Sequence, residues 1–384
     1  MQRTKLLMTP GPTPLPPKVL EAMSQPIIHH RTKEFGEIFT RVNDKLMQVF
    51  QTKNSVLTFT SSGTGAMESS VVNMFSPNDT VLVVSVGVFG DRYIKICKTF
   101  GLNVIEKRYQ DGHVANIDEI IDMLESDKEM KIKGVFITHN ETSTGVTNDI
   151  EKLGKYMKNG ERILIVDAIS ALGGIELKTD EWGLDVVVAG SQKSLMAPPG
   201  LAFASVSDKA WEFYKRSTLP KFYWDYKKYK DGLMKEVQDN PFTPAISLIK
   251  ATDAALTVLF DEIGLENNFL RHKKLAQMVQ TAVDALNLEL LPKKEHSSYV
   301  ITAIKSPEGV DIEQVRKTMN KEFDIMVAGG QSDLKGKIIR IGHMGYVDEM
   351  DVLKTISAFE ISLMKAGYRN FEQGKAVSSI LKFF

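Results

Sequence analysis

The sequence predicts an α/β protein. Its large domain holds a mostly parallel, doubly covered sheet, and a smaller C-terminal domain is α+β. Three observations predict this. Short, continuously apolar, β-branched runs alternate with helical patterns between residues 55 and 190. Helical spacing dominates after about residue 245. Short strands and helices then mix to the C-terminus. The 384 residues suit two or three domains. The expected division is an arm over 1–15, a large domain over 16–262 and a small domain over 263–384.

Prolines at 10, 12, 14, 16 and 17 hold the start extended. Pro16-Pro17 can open a helix, because the first helical position needs no N–H. Val19, Leu20 and Met23 follow helical spacing, and Phe35, Phe39, Val42, Leu46 and Val49 continue it. The strand candidates are SVLTFT (55–60), TVLVVSV (80–86), GVFITH (134–139), RILIVD (162–167) and LDVVVAG (184–190). Each suits burial on both faces. IDEIIDMLES and IEKLGKYMKN read as helices between them. One long amphipathic helix is expected through ISLIKATDAALTVLFDEIG and another from Phe269 to Leu286. The spacing then predicts strand 299–304, helix 312–322, strands 325–327 and 337–341, and helix 349–364. FEQGKAVSSILKFF reads as an amphipathic tail docked on the body.

Hydrophobic residues at 43% and charged residues at 25% exclude a disordered chain. Lys plus Arg equals Asp plus Glu, 48 each, so electrostatics make no case for a nucleic acid or an anionic membrane as partner. No apolar run reaches transmembrane length, and no segment reads as a secretory signal. The single cysteine, Cys97, cannot form an internal disulfide or a cysteine-rich zinc site. It fits a reducing compartment, so a cytoplasmic protein is expected. Cys97 sits at helical spacing in YIKICKTFG and is expected to be buried and inert. His29 and His30 are adjacent and cannot share a helix face as ligands, so no metal site is expected. LPKFYWDYKKYKDG (219–232) interleaves aromatic and basic residues, as single-strand binders do. With zero net charge it reads instead as a partly buried loop near a dimer interface. The seventeen methionines read as core filler.

In an open α/β sheet, ligands bind beyond the carboxyl ends of the strands. SVLTFT is followed by Ser61-Ser62-Gly63-Thr64-Gly65 and a helical pattern. Small residues at a helix N-terminus make an anion cradle, though a glycine-rich turn with an N-cap would look the same. A dinucleotide loop fails, because Glu68 stands where its third glycine belongs. RILIVD ends in Asp167. A buried carboxylate there needs a cation or caps its own loop. LDVVVAG is followed by Ser191-Gln192-Lys193. Such a lysine is a Schiff-base nucleophile if desolvated, or else a surface lysine. Together, a phosphate cradle, an aspartate and a lysine form the set that pyridoxal 5'-phosphate requires.

Eight blocks in one order carry a resemblance over nearly the whole chain: TPGPTPLPPKVLEAMSQPIIHHR, SSGTGAMES, VGVFGDR, HNETSTGV, VDAISALGG, GSQKSLMAPPG, NPFTPAISL and IRIGHMG. The chain resembles the class V aminotransferases of fold type I, close to the serine–pyruvate and alanine–glyoxylate aminotransferases, and this implies that the sheet of the large domain is of the seven-stranded type. The resemblance implies that Lys193 bonds the cofactor and shuttles the α-proton, and that Asp167 faces the pyridine nitrogen. It implies Ser62, Gly63, Thr64 and Gln192 around the phosphate, Phe89 stacked on the ring and Thr142 near the ring hydroxyl. Asn240 and Thr243 would reach the phosphate from the other subunit of a homodimer. Arg340 would clamp the substrate carboxylate with its bidentate fork. Asn240 replaces a tyrosine of some relatives, and Thr64 a histidine of others. The implied reaction is ping-pong transfer of an amino group from serine or alanine to pyruvate or glyoxylate. Alternatives are a phosphoserine or aspartate aminotransferase, a cysteine desulfurase, or a non-catalytic binding protein on this fold. A desulfurase needs a reactive cysteine on a mobile loop, where Cys97 does not sit.

Overall fold

The computed structural model describes residues 5–384; residues 1–4 of the expected arm lie outside them. Seven strands form the central sheet: β1 (Leu57–Thr60), β2 (Thr80–Ser85), β3 (Asn103–Arg108), β4 (Ile132–Thr138), β5 (Ile163–Asp167), β6 (Val186–Gly190) and β7 (Leu201–Val206). Their order is β1-β7-β6-β5-β4-β2-β3. Only β7 runs antiparallel to its neighbours. Every residue of β5 and β6 is buried, as continuous apolar runs covered on both faces require.

Five strands match the apolar runs of the sequence. Neither β3 nor β7 does. β3, NVIEKR, lies at the sheet edge and alternates between more and less exposed residues, so it lacks a continuous apolar run. β7, LAFASV, is fully buried but rich in small residues of low strand propensity.

The small domain carries an antiparallel sheet of β8 (Ile301–Lys305), β9 (Ala328–Gly329) and β10 (Ile338–Gly342), in the order β8-β10-β9. Helices Ile312–Glu322 and Glu349–Lys365 pack on it around Met319, Ile339, Ile341 and Phe359. The expected single helix through 246–264 is α-helical only over Ile246–Thr257. A wider π-helical stretch, Val258–Ile263, follows and ends at Gly264. The next helix starts at Leu265, four residues before the expected Phe269, and runs to Ala285. Asn268 on it donates to the Gly173 carbonyl at 2.6 Å, tying it to the large domain.

The extended arm is woven into the small domain. Leu6–Leu7 pairs in parallel with Ile325–Met326, and the Gly342 amide donates to the Met8 carbonyl at 2.8 Å. The aromatic stretch 219–232 is largely packed. Trp224 donates to Glu68 at 3.1 Å, and Tyr226 meets Ser69 at 2.9 Å. Phe222 stays exposed, with Lys228 over its ring. The tail docks through helix Lys375–Ile380, with Ala376 and Ile380 buried. Cys97 is buried and its thiol pKa is pushed up by that burial. Among the described residues, no helix is long and apolar enough to cross a membrane.

Candidate active site

Strands β1, β2, β4, β5 and β6 lead at their C-terminal ends into one cavity of about 100 Å³. Its lining includes Ser62, Gly63 and Thr64 after β1, and Phe89 and Arg92 after β2. Asn140 and Thr142 follow β4, Asp167 and Ser170 close β5, and Gln192 and Lys193 follow β6. A larger surface cleft of about 560 Å³ beside Asp79, Ile132 and Arg162 lies at the opposite ends of the strands. The chemistry-bearing groups are therefore where an open parallel sheet places a ligand.

Ser62 precedes α1 (Gly63–Met74), and its hydroxyl caps nothing. The Gly65 amide bonds back to the Ser62 carbonyl at 2.9 Å, while the Gly63 and Thr64 amides make no hydrogen bond among the described residues, which favours an anion there. Arg92, on α2 (Val88–Thr99), donates to the Thr64 hydroxyl at 2.9 Å. Its guanidinium lies over the Phe89 ring, 4.7 Å from the centroid.

Asp167 is buried, and its Oδ1 accepts the Ile169 amide at 2.9 Å. Burial pushes its carboxyl up to about 7. The Ile169 bond opposes that, Glu141 adds to it, and Arg92 and Lys193 oppose it. Its Oδ2 has no hydrogen-bond donor among the described residues.

Lys193 is covered by the arm. Its Nζ donates to the Pro10 carbonyl, and its own carbonyl accepts the Thr13 hydroxyl at 3.2 Å. Gly11, at φ +106°, passes so close that a Cβ would lie 2.7–2.8 Å from Lys193 Cδ, Cε and Nζ. Burial pushes the Lys193 ammonium down to about 8; Asp167 opposes this, and Arg340 and Arg92 add to it.

Arg340, on β10, is buried and donates from Nε to the Gly329 carbonyl at 2.9 Å. Its Nη1 donates to the Thr142 carbonyl at 2.8 Å. Burial lowers its pKa to about 10, with Glu141 opposing. Nη2 makes no hydrogen bond among the described residues.

The family description "Aminotransferase class-V" matches residues 6–354. This chain belongs to the class-V aminotransferases. Among its relatives, a serine–glyoxylate aminotransferase of Hyphomicrobium methylovorum is 35% identical over 100% of this chain and 95% of its own. A protein of Synechococcus sp. (strain PCC 6716) named "Soluble hydrogenase, small subunit" is 44% identical over 99% and 98% of the two chains. The crystal structure of a ureidoglycine–glyoxylate aminotransferase from Bacillus subtilis superposes with a TM-score of 0.94 at 29% identity, covering 100% and 98%. Among the described residues, no group of three or more His, Cys, Asp or Glu side chains could hold a metal ion.

A class-V aminotransferase of this kind depends on pyridoxal 5'-phosphate, and the cavity fits that group. Asp167 is buried and lines the cavity, and its Oδ2 has no donor among the described residues, which suits a protonated ring nitrogen. Gln192 Oε1 is buried without a partner, so its amide is uncommitted at the anion end. Ser62, Gly63 and Thr64 could cradle the phosphate, and Phe89 could stack on the ring.

Eight residues expected from the sequence line this one cavity: Ser62, Gly63, Thr64, Phe89, Thr142, Asp167, Gln192 and Lys193. Arg340 meets it through Thr142. Asn240 and Thr243 do not line it. The Asn240 amide donates to the Thr58 carbonyl at 2.9 Å and accepts the Phe242 amide at 3.3 Å, while Thr243 is exposed. Sequence reasoning missed Arg92, Asn140 and Ser170. Each lies inside a motif block, Arg92 in VGVFGDR, Asn140 in HNETSTGV and Ser170 in VDAISALGG, but no block shows which side chain its residue meets. Asn140 and Ser170 bond each other at 2.9 Å, and that pairing has no local signature.

Proposed function

We propose that this aminotransferase moves the amino group of a small amino acid, serine or alanine, to a small 2-oxo acid, glyoxylate or pyruvate. The observation that carries the reading is the facing of Lys193 and Asp167 in one buried cavity with an anion cradle beside it. Glyoxylate as acceptor is supported by the names of two relatives, the serine–glyoxylate and ureidoglycine–glyoxylate enzymes. Serine as donor is supported by the first of them.

When bound, pyridoxal phosphate supplies the electron sink that makes the α-proton of an amino acid removable. Lys193 does the proton work. Its amine, brought down to about 8 by burial, is substantially neutral near pH 8 and can accept and return the α-proton. Asp167 would face the ring nitrogen and favour its protonated form, and a cation there would draw the Asp167 carboxyl below about 7. Thr142, which lines the cavity, would border the ring hydroxyl. Arg340 offers its uncommitted N–H groups to the substrate carboxylate and fixes the α-carbon beside Lys193. The arm segment Pro10–Thr13 excludes water from the lysine.

The reading includes a homodimer with shared active sites, in which Thr243 and Asn240 approach the phosphate of the neighbouring subunit. Asn240 would do so by releasing Thr58. The single cysteine supports a reducing compartment, and the reading places the enzyme in the cytoplasm.

The test is Lys193→Ala. The wild type should be yellow when loaded and should form glyoxylate-dependent product from serine or alanine. The variant should lose turnover by a factor of about a thousand or more. Full turnover in the variant would sink the assignment. Screening donors against both acceptors settles the substrate pair.

A further inference from the structure

Glu141 is fully buried, and both of its carboxylate oxygens are used. Oε2 accepts the Phe89 amide at 3.0 Å and the Gly90 amide at 3.3 Å. Oε1 accepts the Ser143 amide at 3.1 Å and the Ser143 hydroxyl at 2.5 Å. The Ser143 oxygen accepts the Val88 amide at 3.0 Å. The carboxylate thus sits on the first turn of α2, where unpaired amides and the helix dipole favour an anion. The fit leaves no spare room. A Cβ at Gly87 would lie 2.4 Å from Ser143 Oγ and 2.7 Å from Glu141 Cγ.

The residue after Glu141 is Thr142, whose carbonyl holds Arg340 Nη1 at 2.8 Å. No Lys or Arg side chain bonds Glu141 among the described residues. A buried carboxylate without a bonded cation is a poor choice for stability alone. Arg340 nonetheless senses it through space, since Glu141 raises the pKa of that guanidinium.

We infer that Glu141 is a positioning residue that fixes the backbone of Phe89 to the Thr142 carbonyl holding Arg340. The side chain that stacks on the cofactor ring and the one that binds the substrate carboxylate are thereby kept at one spacing. The inference rests on the roles proposed above for Phe89 and Arg340. It adds that the two act as a unit, although 251 positions separate them in the chain.

The experiment uses Glu141→Gln, which puts an amide donor against two backbone donors or against Ser143. Hydrogen exchange is measured first, in the cofactor-free protein. The Phe89 and Gly90 amides should exchange at least about tenfold faster than in wild type. In the loaded enzyme, KM for the amino donor should rise about tenfold while kcat falls less than about threefold. Combined with Arg340→Lys, the two effects on KM should fall short of their product. Unchanged exchange at Phe89 and Gly90 overturns the inference, as does a double variant whose effects simply multiply. If Glu141→Gln does not fold, Ser143→Ala decides by the same measures, because it removes the link between Oε1 and the Val88 amide. A wild type inactive with every small amino acid would defeat the proposed reaction. The exchange measurement would still judge the Glu141 contact.

Discussion

The guanidinium of Arg340 donates to the carbonyl of Thr142 at 2.8 Å, joining a strand of the small domain to the loop that follows β4. With Nε held by Gly329, the arginine is anchored on one side before any substrate arrives. Its remaining N–H groups are pre-oriented, which lowers the ordering cost of binding.

Arg340→Lys should therefore hurt binding more than chemistry. A lysine keeps the charge but cannot hold Gly329, Thr142 and a carboxylate at once. The loss of about 2 kcal/mol corresponds to a KM for the amino donor raised roughly 30-fold. Steady-state kinetics against donor concentration check this, and an unchanged KM would remove Arg340 from the substrate site.

The Lys193 amine, lowered to about 8 by burial, sets the pH dependence of cofactor capture. Only the neutral amine is nucleophilic. The rate at which the cofactor-free protein turns yellow should rise about tenfold per pH unit below 8 and level off above it. A rate still climbing toward pH 10 would mean an ordinary, solvated lysine.

Asp167 trades stability for function. In the cofactor-free protein its folded pKa, about 7, lies above its ordinary 3.8. A raised carboxyl pKa contributes stability that is complete below the unfolded value and lost as pH rises through about 7. Asp167→Asn should remove this dependence. At pH 8 it should stabilise the cofactor-free protein by up to about 4 kcal/mol. The loaded variant should lose at least about a hundredfold in turnover. Thermal melts at pH 5 and pH 8 with activity assays test both halves; a variant destabilised at pH 8 contradicts the first.

Gly11→Ala should disable Lys193 from the arm side. The new methyl would lie 2.7–2.8 Å from the lysine side chain, at a φ of +106° that L-residues avoid. The strain itself is modest, roughly 1–2 kcal/mol. The amine must move, so kcat should fall at least about tenfold while the melting temperature shifts little. A wild-type kcat would show that the arm is only a cover.

Cys97→Ala should leave transamination unchanged, since the thiol is buried in α2 and burial raises its pKa. Loss of about 1 kcal/mol of stability is the expected cost of the cavity. Sulfur release from cysteine by wild type but not by the variant would favour a desulfurase.

Much of the site was legible because its key residues close buried strands. Asp167 and Lys193 follow β5 and β6, whose unbroken apolar runs announce both the strands and their ends. Ser62–Thr64 follow β1 in the same way. Arg92 was not legible, because its meaning comes from Phe89 on its own helix and from Thr64, 28 positions back. Local pattern carries neither contact. The same holds for Glu141, whose partners span Phe89 to Ser143. β3 and β7 escaped because an amphipathic edge strand and a run of small buried residues look like neither template. The early start of the helix at Leu265 escaped because a π-helical stretch and a glycine, not a polar gap, separate it from its predecessor.

The pairing of Leu6–Leu7 with Ile325–Met326 also has a kinetic side. The arm that covers Lys193 is translated roughly three hundred residues before the strand that holds it. Until β10 and its neighbours leave the ribosome, the arm has no partner in the small domain. The large sheet uses no strand beyond Val206 and can form before the small domain is made, but the outer anchor of the arm comes late. A chain stalled or truncated before Ile325 would keep the Pro10 and Thr13 contacts at Lys193 but lose the pairing of Leu6–Leu7, so the cover over the nucleophilic lysine would be fastened at one end only.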